Sequence, residues 1–232
     1  MAHGKSIATV NIANLLKENN FKVLIIDFDV LNNCLHTLLN VDKYPEIIKE
    51  KVQKNDLKNN KIKVNELVIN INDNIDLISG INLLFDNKYK ISSSKIKDIL
   101  EELKQYYDYI IVDNTSECFF DYTKNIIENS DFNIYLLEAN LLEIKKAKKL
   151  LEIYTNEWKI SNEKINILIN KYDRYSIKEN SIKNIFYGYK IIGKINFNRK
   201  YISLINNNYK KNGILKRKIR NELNEVFQLS TN

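Results

Sequence analysis

The sequence predicts an α/β fold: a doubly wound, mostly parallel sheet with helices on both faces, carried by one domain over residues 1–232. Short apolar, β-branched runs alternate with longer stretches of helical periodicity, the pattern of βαβ units. The first run, Val23-Leu24-Ile25-Ile26, is apolar without alternation, as a strand covered on both faces requires. A chain of 232 residues, 44% hydrophobic, has the material for a sizeable core and the length of one such domain.

The elements follow in chain order. Residues 7–17 read as a helix and 22–27 as the strand after it. Ile75-Asp76-Leu77-Ile78-Ser79 is the next candidate strand, then Tyr109-Ile110-Ile111-Val112 and Asn133-Ile134-Tyr135-Leu136-Leu137. Ile165-Asn166-Ile167-Leu168-Ile169 and Lys190-Ile191-Ile192-Gly193-Lys194-Ile195 complete the set. Ile96, Leu100 and Leu103 recur at helical spacing between two of these runs, and Ile144, Ala147, Leu150, Leu151 and Tyr154 do so between two others. The Lys- and Asn-rich stretch 49–63 reads as a helix and an exposed loop. No repeat is visible, and a single proline, Pro45, leaves no proline-rich linker.

The formal charge of +7 favours anionic partners, nucleic acid or an acidic membrane surface. Lysine is spread evenly, however, which is equally the ordinary surface of a chain of this composition. With no run of eighteen apolar residues and no secretory signal, the expected location is cytoplasmic, with peripheral attachment at a membrane or nucleoid. Cys34 and Cys118 follow no metal-ligand spacing and read as free thiols; with only His3 and His36 beside them, zinc is not expected.

Gly4-Lys5-Ser6 opens a helix that leads into a strand. Glycine lets the backbone approach a phosphate, N–H groups of the loop and of the helix from Ile7 cradle it, lysine reaches its oxygens, and the serine hydroxyl binds Mg²⁺. Asn170-Lys171-Tyr172-Asp173 fits a pattern by which many GTPases read guanine, although Asn-Lys also occurs where ATP is used.

In this order the residues resemble the MinD/ParA family of P-loop ATPases. Gly4-Lys5-Ser6-Ile7-Ala8-Thr9-Val10-Asn11-Ile12-Ala13 resembles the end of its phosphate loop and the helix that follows. Val23-Leu24-Ile25-Ile26-Asp27-Phe28-Asp29 resembles its Asp-x-Asp strand, and Tyr107-Asp108-Tyr109-Ile110-Ile111-Val112-Asp113 its Walker B strand. Ser130-Asp131 leads into a run similar to the family's next strand, and Asn170 ends a strand where a base-contacting asparagine is usual. The resemblance implies ATP and Mg²⁺ as ligands. Lys5 would neutralise phosphate charge, Ser6 coordinate Mg²⁺, Asp27 support the metal shell, Asp29 orient the attacking water and Asp113 hold Mg²⁺ through water. Asn198, in Asn196-Phe197-Asn198-Arg199, falls in the loop that covers adenine.

The chain departs from the family at its start. The full loop is Gly-x-x-x-x-Gly-Lys-Ser/Thr after a buried strand, but Met1 and Ala2 stand where glycines are usual and that first strand is missing from the sequence. Asn114-Thr115-Ser116-Glu117 also lacks the expected proline or glycine, as in the divergent CpaE/TadZ group. Residues 213–228 read as a basic amphipathic helix with Leu215, Ile219, Leu223 and Val226 on one face, either packed on the domain or addressing an anionic membrane or DNA. The function implied is an ATP-dependent switch, a homodimer with a protein partner or cargo, that positions a division site, DNA or a pilus or secretion machine. The alternatives are a non-hydrolysing scaffold of the same fold and a GTPase of the related targeting type.

Overall fold

The computed structural model describes residues 4–29, 34–41, 67–79, 94–115, 121–199 and 223. The expected helix and loop at 49–63 and, apart from Leu223, the C-terminal segment 213–228 lie outside the described residues, as do Met1, Ala2, His3 and Cys118. Leu223 itself is helical and fully buried. The described residues form two compact units, one built on those within 6–126, the other on 127–199 and Leu223 together with Gly4 and Lys5.

Helix α1 spans Lys5–Glu18, its residues from Ser6 on belonging to the first unit, and is buried along most of its length, with Asn14 and the last turn facing outward. The side-chain amides of buried Asn11 and exposed Asn14 both donate to carbonyls four residues back, those of Ile7 and Val10. The helix stops at Asn20, whose φ of 65° is left-handed. Its N–H reaches Lys17 O at 2.9 Å and that of Phe21 reaches Leu16 O at 3.1 Å, the paired bonds of a Schellman end.

Strand β1, Val23–Phe28, is buried at every position. It pairs in parallel with β3 (Ile75–Ile78) on one side and with β4 (Tyr109–Asn114) on the other. Its unbroken apolar run is explained by that central place. A four-residue strand, β2 (Ile69–Asn72), folds back antiparallel on β3 with a bulge, giving the order β2-β3-β1-β4. Between β1 and β3 the described residues include the short helix α2, Leu35–Leu38. Helix α3 (Ser94–Leu103) precedes β4 and buries Leu100 and Leu103. Helix α4, Asp121–Asn129, follows β4.

The second unit carries β5 (Asn133–Glu138), β6 (Ile165–Tyr172) and β7 (Lys190–Asn196), all parallel, with β6 central and buried along its first six residues. Helix α5, Leu141–Glu152, is capped by the Asn140 side chain, which accepts from the Glu143 N–H. Its Ile144, Ala147 and Leu151 join Leu137, Ile167, Ile169, Ile182 and Phe186 in the core. The last turn widens into a π-helical segment, Ile153–Glu157, where buried Tyr154 stacks on Trp158 at 4.8 Å. Helix α6, Glu179–Ile185, connects β6 to β7. The parallel strands and their connecting helices bear out the α/β class; the antiparallel β2 is the exception within it.

Candidate functional site

In an open parallel sheet, the carboxyl ends of the strands are where ligands bind, and here those ends concentrate acidity. Strand pairing places Asp27 of β1 directly beside Asp113 of β4. Both are buried, as is Asp29 just past the end of β1. The Asp27 carboxylate is held by three donors. The N–H groups of Asp29 and Leu35 each reach it at 3.2 Å, and the Ser79 hydroxyl reaches it at 3.4 Å. It thus ties together the ends of β1 and β3 and the first residue of α2. Burial raises the Asp27 pKa to about 7, helped by the Asp113 charge and, less, by Asp29, against the two backbone N–H bonds that lower it.

Ser6, in the first turn of α1, belongs to the same cluster. The Cys34 thiol donates to its Oγ at 3.4 Å. That thiol is held protonated chiefly by burial, with the carboxylates of Asp27, Asp113 and Asp29 adding to the upward shift and Ser6 opposing it. Tyr122 of α4 packs its ring 6.0 Å from Phe28, and burial together with the Asp29 charge pushes its hydroxyl up to about 12. Lys5 precedes Ser6 as the first residue of α1, and Ile7 follows, both partly buried.

Gly4 and Asn170 come together in the second unit. Gly4 has φ +78°, and a Cβ there would lie 2.9 Å from Asn170 Nδ2, so both backbone and space call for glycine. Asn170 is buried near the end of β6. The residues after it are occupied locally. Lys171, at φ 53°, forms an ion pair with Glu138 of β5. Asp173 Oδ1 accepts from the Tyr175 N–H at 2.9 Å and the Ser176 hydroxyl at 3.2 Å, closing an Asx turn. Asn198 follows β7, next to Phe197, whose N–H bonds Tyr172 O at 2.8 Å.

The structure therefore brings Ser6, Asp27, Asp29 and Asp113 into one cluster and Gly4 against Asn170. Sequence reasoning did not find Cys34, Ser79 or Tyr122 as members of the acidic cluster. Cys34 read only as a free thiol, and nothing in spacing joins Ser79 to Asp27 across fifty-two residues. The donor set, one hydroxyl and three carboxylates, suits a hard cation such as Mg²⁺. Among the described residues no three His, Cys, Asp or Glu side chains close on a single metal position.

A family model described as an AAA domain matches residues 2–167. The uncharacterized protein MJECL24 of Methanocaldococcus jannaschii is 29% identical over 187 residues, covering 75% of this chain and 70% of that protein. The septum site-determining protein MinD of Thermotoga maritima is 25% identical over 178 residues, covering 76% of this chain and 62% of MinD. Among the curated relatives it matches, the chain spans between 22% and 70% of their length. Of solved structures, MinD of Pyrococcus horikoshii complexed with Mg-ADP superposes with a TM-score of 0.72 at 15% identity, covering 99% of this chain and 93% of that one. A plasmid partition protein of Borrelia burgdorferi bound to AMPPNP gives 0.70 at 22% identity, covering 99% and 94%. These likenesses establish the fold. No helix among the described residues is long and apolar enough to cross a membrane.

Proposed function

The chain belongs to the AAA-domain family, among its MinD/ParA-type P-loop ATPases, and from that premise we propose that it is an ATP- and Mg²⁺-binding switch that positions cellular cargo. The observation that carries the reading is the cluster of Ser6, Asp27, Asp29 and Asp113 at the carboxyl ends of β1 and β4 and the first turn of α1. A helix start favours an anion, while buried carboxylates beside it carry a desolvation cost that a bound cation relieves. A Mg-nucleotide supplies both.

In this reading Gly4, Lys5 and the N–H groups of Ser6 and Ile7 hold the phosphates, with Lys5 neutralising their charge. The Ser6 hydroxyl would coordinate the metal, Asp27 would support its shell, Asp113 would hold it through water, and Asp29 would orient the attacking water. Mg²⁺, when bound, would offset the charge that develops on phosphoryl transfer. Asn170 and Asn198 face the base. Adenine is favoured over guanine because Asp173 Oδ1 is engaged by its own turn, and two structural neighbours carry adenine nucleotides. Nucleotide binding closes a homodimer, hydrolysis releases it, and the basic segment 213–228 addresses an anionic membrane or DNA.

Titration of fluorescent ATP and GTP analogues with Mg²⁺, on this chain and on Lys5→Ala, tests the proposal. Saturable ATP binding that Lys5→Ala abolishes is expected. Equal affinity for GTP would overturn the adenine assignment, and no binding of either by folded protein would overturn the switch. Sedimentation velocity with and without a non-hydrolysable ATP analogue tests the dimer.

A further inference from the structure

Helix α5 buries one face and leaves the other with an unusual pairing of side chains. Ile144, Ala147 and Leu151 face the core. At 100° per residue, the outward arc holds Leu141, Leu142, Lys145, Lys146, Lys148, Lys149 and Glu152. Leu141 and Leu142 are 59% and 69% exposed, at the end of the helix where the chain leaves β5. Core material is thus turned into solvent on an otherwise well-packed helix. Lys145 and Lys149 stand one and two turns beyond Leu141 on its own stripe, with Lys148 beside them. Lys146 is paired with Glu143 at 2.8 Å, whereas Lys145, Lys148 and Lys149 have no ion pair among the described residues. Close by, the Ile177 N–H bonds Ala139 O at 2.8 Å and holds the 173–177 turn against the start of the helix. That turn carries Tyr175, 79% exposed, with Arg174 over its ring at 4.7 Å.

We propose that this face of α5 docks on an anionic lipid bilayer, Leu141 and Leu142 entering the headgroup layer with Tyr175 at its level, and Lys145, Lys148 and Lys149 lying over lipid phosphates. Charge complementarity selects an anionic partner. The two leucines select a bilayer over nucleic acid, since a phosphate backbone offers nothing apolar to receive them, while acyl chains do. The surface is a convex helix rather than a groove, so it suits a fluid layer better than a peptide that needs a pocket. The proposal rests on α5 and the 173–177 turn and does not depend on nucleotide binding.

Co-sedimentation of the full chain with phosphatidylcholine vesicles, with and without one-quarter phosphatidylglycerol, tests it. Binding to the anionic vesicles alone is expected. The triple variant Lys145→Glu, Lys148→Glu, Lys149→Glu should weaken it roughly hundredfold, and Leu141→Ser with Leu142→Ser on the order of tenfold or more. Leu142→Trp should bind like the parent and shift its emission to the blue on vesicles. Vesicle binding that both multiple variants retain would overturn the proposal. So would binding to duplex DNA but not vesicles, lost in the lysine variant and kept in the leucine variant. Leucine variants that change only the oligomeric state in sedimentation velocity would overturn it in favour of a contact between copies.

Discussion

Replacing Asp27 by asparagine isolates what the buried carboxylate pair does to the protein without its ligand. The Asp27 pKa rises from 3.8 to about 7 in the folded state. Between those values the folded chain holds a proton that the unfolded chain has released. Stability from this group is therefore fully present below pH 3.8, falls as pH rises, and is lost above about 7. A shift of about three pH units at about 1.36 kcal/mol each makes ionised Asp27 a destabilising element of roughly 4 kcal/mol at pH 8. The side chain is 1% exposed, so solvent screening removes little of this. The asparagine amide carries no charge but keeps only one acceptor oxygen. With that oxygen where Oδ2 serves Leu35 and Ser79, the Asp29 N–H loses its partner, at a cost of about 1–3 kcal/mol. The net expectation is that Asp27→Asn is more stable than the parent by about 1–3 kcal/mol at pH 8 without Mg²⁺. At pH 5 the advantage disappears or reverses, because the parent is already protonated there. Guanidinium unfolding at the two pH values, in EDTA, reads this directly. A variant less stable than the parent at pH 8, or one whose difference does not change between pH 5 and pH 8, would refute the electrostatic argument. The same variant should lose Mg²⁺-dependent nucleotide binding, so that stability and function move in opposite directions.

Two further outcomes follow from the site. Gly4→Ala meets both a left-handed backbone and the Asn170 amide, so it should destabilise by about 1–3 kcal/mol; adding Asn170→Ala should recover the steric part and leave the backbone part, as thermal unfolding of the three variants would show. The half-buried Cys34 thiol, held protonated by partial burial among carboxylates, should react with a thiol reagent at pH 8 at least about tenfold more slowly than a free cysteine; reaction at the rate of the denatured chain would contradict the packing around Ser6.

How far the fold can be read from the sequence depends on whether the signal is local. β1 and β6 announce themselves because a strand covered on both faces must be apolar throughout, and Val23-Leu24-Ile25-Ile26 and Ile165 to Ile169 largely meet that demand over consecutive positions. Nothing comparable marks β2. It is four residues long, half asparagine, and makes sense only as the second leg of a hairpin with β3. Helix α2 is a single turn, too short for periodicity to show. Within the acidic cluster, Asp27 and Asp113 are legible because each ends an apolar run. Ser79 and Cys34 are not, since their roles arise from side chains meeting across long sequence separations. The Asn-Lys-x-Asp pattern illustrates the converse: a motif visible in sequence has its aspartate Oδ1 engaged in its own turn.

The left-handed helix ends also bear on the chain before it folds. Only five of 232 residues are glycine, yet the turns after α1 and α2 need positive φ, and Asn20 (65°) and Asn40 (61°) supply it. Asparagine is the side chain best suited to that region after glycine, at a cost far below that of a branched residue. An unfolded chain that forgoes glycine at such positions has fewer backbone states to lose, which offsets part of the native strain. Lys159 and Lys171, at 60° and 53°, have no such aptitude, so at those two places neighbouring interactions must hold the backbone where it is, the Lys171–Glu138 ion pair among them.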